Sequence, residues 1–152
     1  MTNPAEIPGE APQPLAACIR LSPQGEPQLW GYRCEHCGEV FLEERRACPK
    51  CATIGALRPM PLIPRGRLYT YTIVHRSFPG IAVPFISAVV RLEDGAYLRG
   101  TLAGVALTPA AIAFDMPVHV AFEQLPPASA GGRPTLRHLF VADPQPAPQK
   151  TV

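Results

Sequence analysis

Cys34-Glu35-His36-Cys37-Gly38 and, ten residues later, Cys48-Pro49-Lys50-Cys51 decide how the N-terminal part of this chain folds. A C-x-x-C turn bends two thiols toward one point, and two such turns complete a tetrahedral shell of four sulfurs, which suits zinc. Gly38 directly follows the first pair, where a residue without Cβ lets the backbone turn back toward the sulfurs. Pro49 stiffens the second pair, and the small Ala52 stands where a second glycine is expected. Four thiolates fill the shell, so the metal is expected to be structural, with no open position for catalysis. His36, inside the first knuckle, then reads as a solvated loop residue.

Three other uses of these cysteines stay open. Iron in a rubredoxin-like site takes the same four ligands. Disulfides need an oxidising compartment, and no secretory signal is visible at the N-terminus. A redox pair of the thioredoxin kind sits where a strand of a βαβ unit meets its helix, whereas these pairs lie in a short polar segment.

Working outward, Ala16 to Leu21 and Gln28 to Arg33 read as short strands around the turn Ser22-Pro23-Gln24-Gly25. After the knuckles, Arg58-Pro59-Met60-Pro61-Leu62-Ile63-Pro64 is expected to be an extended connector, because each proline pushes its predecessor out of the helical region. From Arg65 the period becomes two: Tyr69, Tyr71 and Ile73 alternate with Thr70, Thr72 and Val74 in a strand ending near Arg76. Phe85 to Leu92 is a second strand, and Glu93-Asp94-Gly95 turns tightly into a third, Ala96 to Leu102. Val118, Val120 and Phe122 mark a fourth strand, and Leu136, His138 and Phe140 a fifth. Thr108 as N-cap and Pro109 at the first helical position predict a short helix through Ala113. Five strands with a helix between the third and fourth is the element order of an OB-fold barrel. The predicted organisation is mainly β: a disordered Pro-rich tail at 1–14, a zinc ribbon at 15–57, a connector at 58–64, the barrel at 65–142 and a second disordered tail at 143–152.

Composition sets bounds on function. The 152 residues are 47% hydrophobic and only 17% charged, so most of the chain is expected to fold. Twenty prolines exclude a mainly helical protein. A net charge of +2, with lysine only at positions 50 and 150, does not mark a nucleic-acid binder. No stretch is long and apolar enough to span a bilayer, which predicts a soluble, reducing, cytoplasmic setting with no membrane partner. No phosphate loop, zinc-protease helix or serine-hydrolase elbow occurs. Cys18, the fifth cysteine, sits at a strand start with no basic neighbour to activate it, so it reads as a buried structural residue. His75, His119 and His138 lie on predicted strands, where packing and surface roles are commoner than acid–base work. Independent catalysis is not expected.

The motifs together resemble a known family. Tyr32-Arg33-Cys34-Glu35-His36-Cys37-Gly38, Cys48-Pro49-Lys50-Cys51 and Gly66-Arg67-Leu68-Tyr69-Thr70-Tyr71-Thr72-Ile73-Val74-His75-Arg76 carry the likeness. Phe78-Pro79-Gly80, Val83-Pro84-Phe85 and Leu98-Arg99-Gly100-Thr101-Leu102-Ala103-Gly104 extend it. Over residues 30–142 the chain resembles the zinc-ribbon/OB-fold acyl-CoA-associated proteins of domain-of-unknown-function family 35. The resemblance implies a rubredoxin-like zinc ribbon joined to an OB-fold. It also implies a non-catalytic subunit of a thiolase, a hydroxymethylglutaryl-CoA synthase-like enzyme or a lipid-transfer-type aldolase. Such a subunit helps bind or channel the CoA thioester while the partner supplies the reactive cysteine. One subgroup accompanies thiolases of anaerobic aromatic-compound degradation. Family members commonly begin with one or two helices bearing a Phe-Trp pair; here that region is proline-rich and Trp30 stands alone.

A CoA thioester offers phosphates and a long amphipathic arm, which call for arginines and an apolar wall. Arg65, Arg67, Arg76 and Arg99 are the candidate phosphate contacts, and Tyr71, Phe78, Pro84 and Phe85 the candidate wall. The segment from His75 to Phe85 is expected to form one loop-bounded surface for CoA or the partner enzyme. Each of these residues is equally what an ordinary surface charge or barrel-core side chain would be. Two rival readings remain. A nucleic-acid-binding module would need a basic groove with exposed aromatics on the second and third barrel strands. A rubredoxin-like electron carrier would need iron in place of zinc.

Overall fold

The computed structural model describes residues 11–144. Of the tails expected to be disordered, 1–14 and 143–152, residues 1–10 and 145–152 lie outside the described residues, whereas Asp143 N–H donates to the Pro117 carbonyl at 3.0 Å. Ten strands follow in chain order: β1 (Gln13–Pro14), β2 (Ile19–Leu21), β3 (Pro27–Cys34), β4 (Val40–Phe41), β5 (Leu57–Pro61), β6 (Arg65–Val74), β7 (Phe85–Leu92), β8 (Tyr97–Ala103), β9 (Pro117–Leu125) and β10 (Thr135–Ala142).

β6 to β10 close into a five-stranded barrel. β6 pairs with β7 and β7 with β8, all antiparallel; β8 meets β10 in parallel, and β9 bridges β10 back to β6. That order, with one parallel contact, is the OB-fold the element sequence predicts. Alternation supplies its core: Ile86, Ala88, Val90 and Leu92 point inward from β7, and Leu98 and Leu102 from β8. Phe140 is completely buried at the centre, a side chain whose burial is worth about 2–3 kcal/mol. Gly100 opposite it has no Cβ, which would otherwise lie 2.9 Å from the Phe140 ring.

One irregularity in β6 changes what the barrel presents. The register against β7 slips between Leu68 and Thr70, a bulge that reverses the phase of the strand. Tyr69 therefore turns outward and is exposed, whereas Tyr71 and Ile73 are half-buried and pack on the core. The simple alternation of Tyr69, Tyr71 and Ile73 expected from the sequence breaks at this point.

The helix expected at 108–113 is a single 3-10 turn, Pro109–Ala111. Thr108 makes no side-chain cap, and none of the turn's three residues is buried, so nothing propagates a helix there.

The ribbon sheet is built on β3, which pairs with β2, β4 and β5. β5 falls partly in the segment expected as a connector. Its Pro59 and Pro61 sit opposite Tyr32 and Trp30. Leu62 N–H donates to the Leu29 carbonyl at 2.8 Å, so by alternation the two prolines turn their missing donors to the open edge, where a strand tolerates them. β1 repeats the device: Gln13 and Leu15 donate to Pro134 and Leu136 of the β10 side, and Pro14 faces out. Residues 13–14, expected within the tail, thus extend the barrel sheet.

Leu29, Val40 and Leu62 of the ribbon side join the barrel's buried cluster. Asp94, in the β7–β8 turn, accepts the Ile63 N–H at 2.6 Å and pins the joint between the two parts.

Candidate metal centre and barrel surfaces

Cys34 closes β3, and Cys37 follows after a turn in which Gly38 N–H donates to the Cys34 carbonyl at 2.8 Å. The second knuckle repeats that turn: Ala52 N–H donates to the Cys48 carbonyl, also at 2.8 Å. Both residues after the pairs are left-handed, Gly38 at φ 76° and Ala52 at φ 60°. Ala52 therefore stands in a conformation that costs a residue with Cβ about 1–2 kcal/mol.

The four sulfurs lie within 4.8 Å of one another, with Cys34–Cys51 at 3.7 Å and Cys37–Cys48 at 3.6 Å. A tetrahedron with metal–sulfur bonds of 2.3 Å has edges of about 3.8 Å, so these cysteines fit one zinc ion as they stand. Cys51 is held down to about 5 by the Thr53 hydroxyl, 3.3 Å from its sulfur, and by the Thr53 N–H. At Cys37 the Glu39 N–H favours the thiolate, but desolvation and the three neighbouring sulfurs outweigh it and push the thiol up to about 11. Four crowded sulfurs resist ionising together without a cation, and a bound metal would hold all four as thiolates. Zinc would serve here as a structural cross-link. His36 is exposed on the first knuckle. Lys50 pairs with Glu39, and Arg58 with Glu35 at 3.1 Å, across the outside of the knuckles.

The remaining candidate residues do not form one surface. Arg65 and Arg67 lie at the start of β6, on a groove of about 680 Å³ beside the β7–β8 hairpin. His75, Arg76, Phe78 and Pro84 are exposed in the loop at the opposite end of β6, up to roughly 30 Å of strand away. Phe85 is half-buried and pairs with Val74. Tyr71 lies between the two ends and packs against Phe114, with ring centroids 5.5 Å apart. Arg99 is exposed on the outer face of β8, and its carbonyl accepts a hydrogen bond from His138 Nε2 at 2.7 Å.

Arg91 and Phe114 of the groove escape sequence reading, whereas Tyr97 is foreseen there only as the third-strand aromatic that the nucleic-acid rival would use. The alternation of β7 and β8 could have placed Arg91 and Tyr97 outward beside Arg67. Nothing local marks Phe114, which follows the 3-10 turn. Cys18 is buried, and burial pushes its thiol up, as expected of a structural cysteine. Trp30 stacks under Arg20, whose guanidinium lies 4.7 Å from the ring and donates to the Tyr32 hydroxyl at 3.0 Å.

Comparison with known proteins agrees with this architecture. Residues 25–53 match the rubredoxin-like zinc ribbon domain of ChsH2, and residues 60–123 match its C-terminal OB-fold domain. A DUF35 domain-containing scaffold protein of Methanocaldococcus jannaschii is 33% identical over 100 residues, spanning 64% of this chain and 69% of that protein. The benzoylsuccinyl-CoA thiolase subunit BbsA of Geobacter metallireducens is 31% identical over 80 residues, 53% of each chain. Among solved structures, the Ltp2-ChsH2(DUF35) aldolase shares the fold with a TM-score of 0.60 at 24% identity, covering 76% of this chain and 84% of that one. With the ribbon, the barrel and the four-sulfur centre in place, these matches show that the chain belongs to the DUF35 family.

Proposed function

We propose that this chain is a non-catalytic accessory subunit that docks on a thiolase-like enzyme and helps hold or channel its acyl-CoA substrate. The reading is supported by relatives described as a scaffold protein and as a thiolase subunit. The observation that carries it is the loop between β6 and β7. Phe78 is 82% exposed, Ile81 50% and Val83 43%, all within ten residues. Three apolar side chains held in water on one loop, with Arg76 beside them and no acidic residue from His75 to Pro84, suit an apolar anchor in a partner's cleft. Leu107, also exposed, follows β8 at the same end of the barrel.

In this reading the partner brings the reactive cysteine, and the chain works in a reducing, cytoplasmic setting. An aromatic acyl-CoA is the substrate class suggested by the thiolase-subunit relative. The test is the double substitution Arg76→Ala and Phe78→Ala, with zinc content measured beside binding. Loss of complex formation or of its acyl-CoA turnover at full zinc content is expected. Unchanged assembly and kinetics would refute the docking loop.

A further inference from the structure

The groove at the start of β6 has no part in that docking loop. Outward-facing residues of β6, β7 and β8 line it, together with Phe114, Asp115 and Pro117 ahead of and at the start of β9. Arg67 sits directly across from Arg91, and Arg91 directly across from Tyr97, in one row over three strands. Like charges facing each other across strands are destabilising. Here the row is flanked by Arg65, and neither Arg65 nor Arg91 has an ion-pair partner among the described residues. Arg67 alone is tethered, donating to the Asp115 carbonyl at 2.9 Å with the Asp115 carboxylate 3.9 Å away.

Aromatic surface adjoins the guanidinium groups. Tyr69, turned outward by the bulge, meets Tyr97 edge to face at 5.1 Å and 77°. Both line the groove, as does the exposed Phe114. Forked cations beside aromatic rings offer what a phosphorylated nucleoside needs: charge-assisted contacts to its phosphates and a flat apolar seat for its base.

The acidic residues of the groove set its capacity. Asp115 is engaged with Arg67, and Asp143 takes His119 Nδ1 at 2.6 Å, leaving Glu93 without a counter-ion. These three carboxylates match the three arginines in number, so the groove has no surplus of positive charge to hold a long phosphate chain. The groove therefore suits one or two phosphate groups on a single nucleoside and disfavours a nucleic-acid strand, in keeping with a net charge of only +2.

We propose that this groove is a binding site for a nucleoside phosphate, with Arg65, Arg67 and Arg91 on the phosphates and Tyr69 and Tyr97 against the base. The same chemistry is presented by a free nucleotide and by the nucleotide end of a CoA thioester. With CoA as occupant the site deepens the acyl-CoA half of the proposed function and rests on that reading, while partner docking through the β6–β7 loop stands or falls separately.

The test is calorimetry on the zinc-loaded full chain at low salt, with adenosine 3′,5′-bisphosphate, ATP, CoA and a single-stranded oligonucleotide as probes. Saturable binding of a mononucleotide is expected, weakened about tenfold or more by Arg91→Ala. Tyr97→Ala should weaken it several-fold. Neither substitution should alter zinc content or thermal stability, since both side chains are exposed. CoA binding more tightly than the bisphosphate would assign the site to the carrier; ATP binding tightest would assign it to free nucleotide. No heat with any mononucleotide up to about 1 mM, binding indifferent to Arg91→Ala, or preference for the oligonucleotide would each overturn the proposal.

Discussion

The zinc-binding end of the ribbon and the barrel are two solutions to one problem, how a short chain holds β-strands together. Around the four sulfurs, only Cys34, Cys48 and Ala56 are buried as a separate cluster, with Phe41 and Leu57 partly covering them. The barrel cluster, by contrast, takes in apolar residues from every one of its strands and from β2, β3 and β4 as well. The knuckles have too little apolar surface to stay folded through burial, so their order depends on the metal. The barrel depends on packing. The two regions should therefore fail for different reasons, and independently.

Metal removal should produce the largest effect, because zinc binding in a small ribbon is worth on the order of 10 kcal/mol. Chelation, or Cys48→Ser, should abolish hydrogen-exchange protection from Cys34 to Leu57 and leave β6 to β10 protected. Full ribbon protection in chelated protein would erase the distinction. The converse is Phe140→Ala, which opens a cavity at the barrel centre and should cost about 3–5 kcal/mol in denaturant unfolding. The sulfur shell should still take up one zinc wherever the chain remains folded.

The joint between the regions should respond more weakly. Asp94→Ala removes the acceptor of the Ile63 N–H and should cost about 1 kcal/mol, read as faster exchange at Ile63 with the melting of each part little changed. The smallest effect should be a gain. Ala52→Gly relieves a left-handed alanine and should raise the unfolding free energy by up to about 1 kcal/mol. A loss there would mean that the second knuckle is held by contacts of the Ala52 methyl.

The two regions also differ in how far the sequence revealed them. The knuckles are local: the spacing of four cysteines and the residues after each pair are enough to place the sulfurs. The barrel's strand order was legible from alternation and turn residues. What escaped was tertiary. β5 and β1 were hidden because proline argues against a strand, and only the neighbouring strand reveals that Pro14, Pro59 and Pro61 turn toward an open edge. The bulge at Leu68–Thr70 has no sequence mark, yet it breaks the expected alternation, putting Tyr69 on the surface while Tyr71 and Ile73 pack on the core. The sequence could not show how the candidate CoA residues divide in space: the long strand β6 puts Arg65 and Arg67 at one end and Arg76 and Phe78 beyond the other.

The accessory-subunit reading is tested most directly by affinity capture of the full-length chain from its host at moderate salt, with bound proteins identified by mass spectrometry. Stoichiometric recovery of a thiolase-like enzyme, lost with the Arg76 and Phe78 substitutions but retained with Arg91→Ala, is the predicted result. Recovery of no such enzyme, or of nucleic acid in its place, would contradict the account.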